Sequence, residues 1–124
     1  MEKNIYKILI AEDNTLELEL LKRILEKEGF DILLTKNGKE MLENVDSYNP
    51  DLIILDVNMP IMNGYDACKM LKKDLKTTDI PVLFLTTNQN SEQVMEGFDA
   101  GAVDYIFKPF TKEKLISRIE KYLD

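Results

Sequence analysis

The sequence predicts an α/β fold, a doubly wound parallel sheet of five strands with five helices packed on its two faces. Apolar runs of strand length alternate with segments whose apolar residues recur at helical spacing. The chain has 124 residues, of which 44% are hydrophobic, so it can bury one core and has no room for a second domain of ordinary size. We therefore expect residues 1–124 to form a single domain.

Strand and helix signals follow one another in strict order along the chain. The predicted strands lie near residues 5–11, 31–35, 51–56, 81–86 and 104–107. The predicted helices lie near residues 15–28, 38–47, 64–74, 91–100 and 112–123. Because a helix separates each strand from the next, the strands are expected to run parallel.

Capping residues and apolar stripes support the individual helices. The first helix has Asn14 as its N-cap with Glu17 three residues on, and Gly29 follows its end. Its apolar stripe consists of Leu18, Leu21, Ile24 and Leu25. The second and third helices are entered through the turns Asn37-Gly38 and Asn63-Gly64.

The last two helices differ in how clearly they are marked. Gly97 and Gly101 both lower the helix propensity of the fourth segment. The fifth helix starts after Thr111 and is expected to bury Leu115, Ile116, Ile119 and Leu123.

The acidic balance of the chain argues against direct binding to nucleic acid. With 16 Lys and Arg against 23 Asp and Glu, the net charge is −7, and a phosphate backbone would be repelled. Four lysines do cluster, but Asp74 and Asp79 lie among them. This mixture favours a solvated helix face for Lys69, Lys72, Lys73 and Lys76.

The chain shows no signal for a membrane or for export. It has no run of about 18 apolar residues and no basic-then-apolar signal at its N-terminus. We therefore expect no membrane insertion and a cytoplasmic location. Cys68 is the only cysteine, which excludes an internal disulfide, and its apolar neighbours predict a thiol packed in the core.

The absence of histidine limits the chemistry that the chain can perform. It excludes a Ser–His triad, a histidine metal site and a histidine general base. It also means that a phosphohistidine, if one supplies phosphate to this chain, belongs to a partner.

Four predicted strands end in side chains of complementary chemistry, and the carboxyl ends of parallel strands form the usual ligand site. In chain order these are Glu12-Asp13, Asp56, Thr86 and Lys108, which together suit a metal-assisted phosphoryl acceptor. Taken singly, each has a simpler interpretation. Asp13 or Asn14 could cap a helix, Thr86 could pair with backbone, and Lys108 could be a surface lysine. Unrelated residues would rarely combine in this way, so the joint pattern favours the phosphoryl site.

These residues resemble the receiver domain of two-component response regulators, of the kind found in chemotaxis regulators. The resemblance covers essentially the whole chain. It rests on Glu12-Asp13, on the segment Asp-Val-Asn-Met-Pro at 56–60 with Asn63-Gly64, on Thr86, and on Lys108-Pro109-Phe110. The fold that it implies is flavodoxin-like, with strand order 2-1-3-4-5, in agreement with the doubly wound prediction.

The resemblance implies a role for each strand-end residue. Asp56 would be the phosphoacceptor, with Lys108 and Thr86 contacting phosphoryl oxygens. The cofactor would be Mg²⁺, with Mn²⁺ as a possible substitute, because such cations prefer carboxylate oxygens and water. The metal site would consist of Glu12, Asp13, Asp56 and the backbone carbonyl of Asn58.

The resemblance also implies a switch and several tuning positions. Thr86 and Tyr105 would form the switch, although Tyr105 could equally be a half-buried strand residue with its hydroxyl in solvent. The residues expected to tune the lifetime of the phosphorylated state are Asn58, Thr87 and Asn88. The peptide bond between Lys108 and Pro109 is expected to be cis.

As a receiver, the chain would not be an enzyme with a separate substrate. It would be a phosphoacceptor that catalyses its own phosphorylation and dephosphorylation. A sensor histidine kinase or a histidine phosphotransfer protein would supply the phosphoryl group. The surface of the fourth helix, fifth strand and fifth helix would then signal to a downstream protein. The chain is expected to be a monomer or a phosphorylation-dependent dimer, and either a stand-alone regulator or part of a longer one.

Three other functions are alternatives to this one. A phosphatase of the haloacid dehalogenase type would usually carry a second aspartate where Asn58 stands. A flavodoxin-like FMN carrier would need a first turn rich in Ser, Thr and Gly, whereas this one is acidic. A receiver-like docking module that works without phosphorylation would usually lack part of the strand-end set, and it need not bind Mg²⁺.

Overall fold

The computed structural model describes residues 5–123, in which five strands alternate with five helices. Residues 1–4 and 124 of the predicted domain lie outside the described residues. Within residues 5–123, no helix is both long enough and apolar enough to cross a membrane. The elements in chain order are β1 (Lys7–Ala11), α1 (Thr15–Lys27), β2 (Asp31–Thr35), α2 (Gly38–Tyr48), β3 (Leu52–Asp56), α3 (Gly64–Lys73), β4 (Val82–Thr86), α4 (Ser91–Ala100), β5 (Asp104–Phe107) and α5 (Lys112–Lys121).

The strands form one parallel sheet in the order β2-β1-β3-β4-β5, which confirms the predicted topology. The chain winds outward from β1 to one edge of the sheet and then from β3 to the other. The sheet therefore has its topological switch point between β1 and β3, where the loops that follow the two strands separate and leave a crevice.

Two apolar cores cover the faces of the sheet. On one face, β1, β3, β4 and β5 pack against α1 and α5 through residues such as Ile10, Leu21 and Leu115. On the other face, the strands pack against α2, α3 and α4 through residues such as Met41, Phe84 and Ala100. Alternate residues of a strand point to opposite faces, so β3 and β4 are buried along their whole length. The predicted stripe of α5 is buried except for Leu123, which is half-buried and lies beyond the end of the helix.

Asparagine side chains start four of the five helices. In each case the side-chain oxygen accepts a hydrogen bond from a backbone N–H in the first turn, which otherwise has no partner within the helix. The capping residues are Asn14, Asn37, Asn63 and Asn90, with Thr111 taking this role in α5. The predicted starts of all five helices are thereby confirmed.

The two glycines of the fourth segment have structural reasons for their positions. Gly101 ends α4 with φ of 113°, a left-handed conformation that suits glycine. Gly97 lies inside α4 and is buried, and a Cβ at this position would overlap the hydroxyl of Tyr105. The helix thus accepts a residue of low propensity because β5 packs against it at close range.

Lys72 departs from the prediction of a solvated lysine face, although the other three lysines of the cluster are exposed. Its ammonium group donates hydrogen bonds to the carbonyls of Thr78 at 2.9 Å and Ile80 at 2.6 Å. Burial lowers the pKa of Lys72. The loop from α3 to β4 folds back over the end of α3, so the sequence pattern of α3 alone could not predict this contact. Cys68 lies in the core as predicted.

Candidate functional site

The strand-end residues converge at the carboxyl edge of the sheet. Glu12 and Asp13 follow β1, Asp56 ends β3, Thr86 ends β4 and Lys108 follows β5. Because the strands are parallel and β1 is hydrogen-bonded next to β3, the acidic residues of these two strands face one crevice at the topological switch point.

The three carboxylates lie close enough together to share a cation. Oxygen atoms of Glu12, Asp13 and Asp56 all fall within 4.8 Å of one another. Glu12 and Asp56 are buried, whereas Asp13 is exposed and leaves the cluster open to solvent. Three carboxylate oxygens beside a solvent opening form a donor set that fits a hard divalent cation such as Mg²⁺, which keeps part of its water shell. The cluster could therefore hold a metal ion.

Burial and mutual repulsion separate the acidities of the two buried carboxyl groups. Burial, followed by the hydrogen bond and negative charge of Glu12, raises the pKa of Asp56 to about 7. Burial also acts to raise the pKa of Glu12, but hydrogen bonds from Asp56 and Lys108 outweigh it and lower the pKa to about 2. The pair therefore tends to retain one proton, on Asp56, when no cation neutralises the crevice.

Lys108 is a half-buried member of the site, so its interpretation as a surface lysine is wrong. Its ammonium nitrogen lies 2.9 Å from Glu12 Oε1, 2.6 Å from Glu17 Oε1 and 4.0 Å from Asp56 Oδ1. Burial acts to lower the pKa of Lys108, but its close contacts with the carboxylates of Glu17 and Glu12 prevail and raise it. The peptide bond between Lys108 and Pro109 is cis.

Glu17 is a member of the site that the sequence analysis missed. The sequence pattern indicates only a role at the start of α1, where the Glu17 backbone N–H does donate to Asn14 Oδ1 at 2.9 Å. Its side chain, however, reaches back to Lys108. The available signal was that α1 begins directly after the acidic pair, so a side chain in its first turn can border the same crevice.

Thr86 is buried at the end of β4, and in this structure it does pair with backbone. Its hydroxyl oxygen accepts a hydrogen bond from the backbone N–H of Asn88 at 3.1 Å. The side chain of Asn88 accepts from the Asn90 backbone N–H at 2.8 Å and also contacts Gln93 in α4. Asn88 thus connects Thr86 to the start of α4, because its backbone binds Thr86 while its side chain binds Asn90 and Gln93.

The other two predicted tuning residues are exposed at the edge of the site. Thr87 follows Thr86 at the surface, and Asn58 lies in the loop that follows Asp56. The backbone of Asn58 forms a hydrogen bond with Asp56, which acts to lower the pKa of that carboxyl. The effect of either side chain on the lifetime of a phosphorylated state stays a prediction.

Tyr105 is buried beneath α4, which contradicts the interpretation that left its hydroxyl in solvent. The hydroxyl lies 3.1 Å from the carbonyl oxygen of Val94 and 3.2 Å from that of Gln93. The same Gln93 carbonyl accepts a hydrogen bond from Tyr65 in α3. The Tyr105 ring also packs against Phe84, Phe98 and Phe107. Tyr105 therefore joins β5 to α4, the helix whose start is tied to Thr86.

The loop after Asp56 depends on a glycine for its close approach to β3. Gly64 begins α3, and its N–H donates to the carbonyl of Val57 at 2.8 Å. A Cβ on Gly64 would overlap the carbonyl oxygen of Asp56. In the same loop, Ile61 adopts a φ of 72°. The loop can therefore fold back over the end of β3 beside the acidic cluster.

Comparisons with known proteins match most of the chain. The family model for the response regulator receiver domain matches residues 8–120. The chain is 36% identical over 117 residues to the DNA-binding response regulator MtrA of Mycobacterium tuberculosis, covering 94% of this chain and 50% of that protein. It thus spans about half the length of the curated relatives it matches.

Solved structures show the same fold. The chemotaxis response regulator CheY4 of Vibrio cholerae superposes with a TM-score of 0.92 at 29% identity, over 97% of this chain and 100% of that chain. The signal receiver domain of a signal transduction histidine kinase from Syntrophus aciditrophicus gives 0.89 at 38% identity, over 95% of this chain and 89% of that chain. The fold is thus shared with a chemotaxis response regulator and with the receiver domain of a histidine kinase.

Proposed function

Because the chain belongs to the family of response regulator receiver domains, we propose that it accepts a phosphoryl group on Asp56 and responds by changing the surface that it offers to a partner. One observation carries the proposal. A buried carboxylate at the end of β3 lies beside two further carboxylates and within 4.0 Å of the ammonium group of Lys108. A nucleophile, a cation site and a fixed positive charge are the parts that phosphoryl transfer requires.

The donor set supports Mg²⁺ as the cofactor, with Mn²⁺ as a substitute of similar ligand preference. Glu12, Asp13 and Asp56 would hold the ion together with the backbone carbonyl of Asn58. When bound, the ion supplies positive charge that offsets the carboxylates and the phosphoryl oxygens.

The transfer itself uses residues of this chain. A carboxylate oxygen of Asp56 attacks phosphorus, while the P–N bond of a phosphohistidine breaks and the departing imidazole takes up a proton. Lys108 and Thr86 would each bind a phosphoryl oxygen, by an ammonium and a hydroxyl donor respectively. The chain contains no histidine, so the phosphohistidine belongs to a partner, a sensor histidine kinase or a histidine phosphotransfer protein.

The contacts of Thr86 suggest how phosphorylation would alter the surface. If its hydroxyl turns toward a phosphoryl oxygen, Asn88 N–H loses the acceptor that it has now. Asn88 contacts Gln93, whose carbonyl accepts from Tyr105. The surface of α4, β5 and α5 would then respond and meet the downstream protein. Direct binding to nucleic acid is not part of this proposal. The DNA-binding role in the name of MtrA concerns a protein about twice as long, and the net charge of −7 opposes it.

The experiment that tests the proposal is intact mass measurement after incubation with Mg²⁺ and acetyl phosphate. We expect one added phosphoryl group of about 80 Da, absent with EDTA and absent in Asp56→Asn. Asp66→Asn, at an exposed carboxylate in α3, is the matched control and should be phosphorylated normally.

Rapid loss of the phosphoryl group could hide the adduct, so beryllofluoride binding should be measured on the same samples. Beryllofluoride mimics the phosphoryl group and does not turn over. Folded protein that neither gains mass nor binds beryllofluoride would be the docking module that works without phosphorylation.

A further inference from the structure

Glu17 has no part in the proposed reaction, yet it makes the shortest contact of the Lys108 ammonium group. We propose that Glu17 is a positioning residue that holds Lys108 on the α1 side of the crevice, in competition with a phosphoryl group on Asp56. The inference rests on the proposed function and adds an element of regulation, a built-in restraint on phosphoryl binding.

The geometry places Lys108 between two glutamates rather than on the acceptor. Its nitrogen lies 2.6 Å from Glu17 Oε1 and 2.9 Å from Glu12 Oε1, but 4.0 Å from Asp56 Oδ1. Contacts below 3 Å are charge-assisted hydrogen bonds or close ion pairs, whereas 4.0 Å is the outer limit of an ion pair. The contact with Glu12 is a hydrogen bond, and the contact with Glu17 is a close ion pair in which the carboxylate oxygen is buried and has no hydrogen-bond partner among the described residues.

Phosphoryl binding would draw Lys108 away from one of these partners. A phosphoryl oxygen on Asp56 would have to attract an ammonium group that already has a carboxylate at 2.6 Å. Because the two anions compete for the same cation, the free energy of the contact with Glu17 is subtracted from the affinity for the phosphoryl group.

Glu17 can release Lys108 more readily than Glu12 can. The Glu12 side chain is only 2% exposed and borders Asp56, so an unpaired charge there would be costly. The Glu17 side chain is 21% exposed, at the rim. Its backbone is held by Asn14, so the carboxylate can rotate into solvent while α1 stays in place.

The test measures the Kd of beryllofluoride in saturating Mg²⁺ for the whole chain and its variants. Glu17→Gln keeps the shape of the side chain and removes its charge. We expect it to bind beryllofluoride about three- to tenfold more tightly than the unchanged protein, the range typical of one charge-assisted contact. A merely damaged fold would weaken binding, so a gain in affinity cannot come from misfolding.

Two further variants distinguish the direct contact between Glu17 and Lys108 from a general effect of negative charge. Glu19→Gln removes an exposed charge from the same helix and should stay within about twofold of the unchanged protein. Glu17→Asp keeps the charge but is one methylene shorter, so it should also bind more tightly than the unchanged protein. A charge acting only through space predicts instead that Glu17→Asp behaves like the unchanged protein.

Each outcome has a definite meaning. Tighter binding in Glu17→Gln and Glu17→Asp, but not in Glu19→Gln, supports the proposal. Unchanged or weaker binding in Glu17→Gln overturns it, as does a gain that Glu19→Gln shares or that Glu17→Asp lacks. If the unchanged protein takes up no beryllofluoride at all, the proposed function fails and this inference fails with it.

Discussion

Ile61 combines a β-branched side chain with a left-handed backbone conformation in the loop that follows Asp56. Its φ is 72° and its surface is 76% exposed. Left-handed backbone brings Cβ of an L residue close to the carbonyl oxygen, at a cost of about 1–3 kcal/mol. Because the side chain is mostly exposed, its burial does little to offset this cost. The position therefore stores strain beside the phosphoacceptor that we propose.

Ile61→Gly should stabilise the protein by about 1 kcal/mol. Relief of the strain exceeds the extra entropy that glycine gives the unfolded chain, about 0.4–1 kcal/mol. The measurement is the free energy of unfolding in urea. Ile61→Ala is the control. Because alanine still has a Cβ, this variant should gain clearly less stability than Ile61→Gly. Equal stability of the glycine and alanine variants would mean that the backbone is not strained.

The buried thiol of Cys68 should make the free energy of unfolding depend on pH in the alkaline range. Burial raises the pKa of its thiol to about 11 from 9.0. Between these pH values the folded protein keeps the thiol proton, whereas the unfolded chain releases it. The stability that the protonated thiol contributes is therefore present below pH 9 and is lost as pH rises toward 11. At pH 10 the loss is about 1 kcal/mol.

The contribution of Cys68 has to be isolated by mutation, because burial also raises the pKa values of Tyr48, Tyr65 and Tyr105, which adds to the loss of stability at alkaline pH. Urea unfolding of the unchanged protein and of Cys68→Ala should be compared at pH 8 and pH 10. The unchanged protein should lose about 1 kcal/mol more than the variant. Identical losses would show that ionisation of the buried thiol does not contribute.

Some residue positions could be read from the sequence and others could not. Asp56, Thr86 and Lys108 were found because each ends or follows an apolar run. Glu17 was not, because its contact with Lys108 joins residues 91 positions apart, from 17 to 108, and depends on where β5 lies relative to α1. The conformation of Ile61 was also unpredictable, since glycine or asparagine is the usual sign of a left-handed residue.

At the scale of elements, α4 shows how packing overrides propensity. An alanine is favoured over glycine inside a helix by about 1 kcal/mol. At Gly97, however, the added Cβ would overlap the Tyr105 hydroxyl and approach the carbon that carries it at 2.8 Å. Overpacking of this kind costs about 1–3 kcal/mol. We therefore expect Gly97→Ala to destabilise the protein by about 1–2 kcal/mol in urea unfolding.

The cause can be tested in the same experiment. In a Tyr105→Phe background the closest atom is gone, so the cost of Gly97→Ala should shrink. Glu96→Ala, at an exposed position of α4, is the helix control and should change stability by less than about 0.5 kcal/mol. A Gly97→Ala variant that is more stable than the unchanged protein would show that α4 shifts without cost.

The sequence predicted the elements well wherever local chemistry sets them. Asparagine caps mark helix starts because the side chain satisfies an N–H that has no partner in the helix. The strands were predicted because both of their faces are buried. For Gly97 the sequence indicated only a low helix propensity. It did not indicate the close contact with Tyr105, because Tyr105 belongs to the next strand. Lys72 appeared only as a surface charge, because its partners lie in the loop beyond α3.

At the scale of the whole molecule, the topology makes the site predictable in outline. Parallel strands bring their carboxyl ends to one edge, so chain order alone places Glu12, Asp13 and Asp56 together. The distribution of charge within that site could not be predicted. Whether Lys108 faces Asp56 or a glutamate depends on differences of a few ångströms between side chains, and periodicity does not encode such distances.

The crowding of carboxylates links the site to the stability of the whole fold. Without a cation, the raised pKa of Asp56 means that the folded protein retains a proton that the unfolded chain releases between its ordinary pKa of 3.8 and about 7. The metal-free protein should therefore lose stability on this account as pH rises through that window. A divalent cation offsets the repulsion, and it competes with the proton for the same oxygens.

We therefore expect Mg²⁺ to stabilise the protein, and more strongly at pH 8 than at pH 6. At ten times its Kd the ion should add about 1.4 kcal/mol to the free energy of unfolding. Asp13→Asn removes a ligand without burying a new group, so it should be stabilised much less by Mg²⁺, whereas Asp66→Asn should respond like the unchanged protein. An equal Mg²⁺ response in Asp13→Asn would place the ion elsewhere. No response in any variant would mean that the three carboxylates are a structural cluster, held by protons and by Lys108 alone.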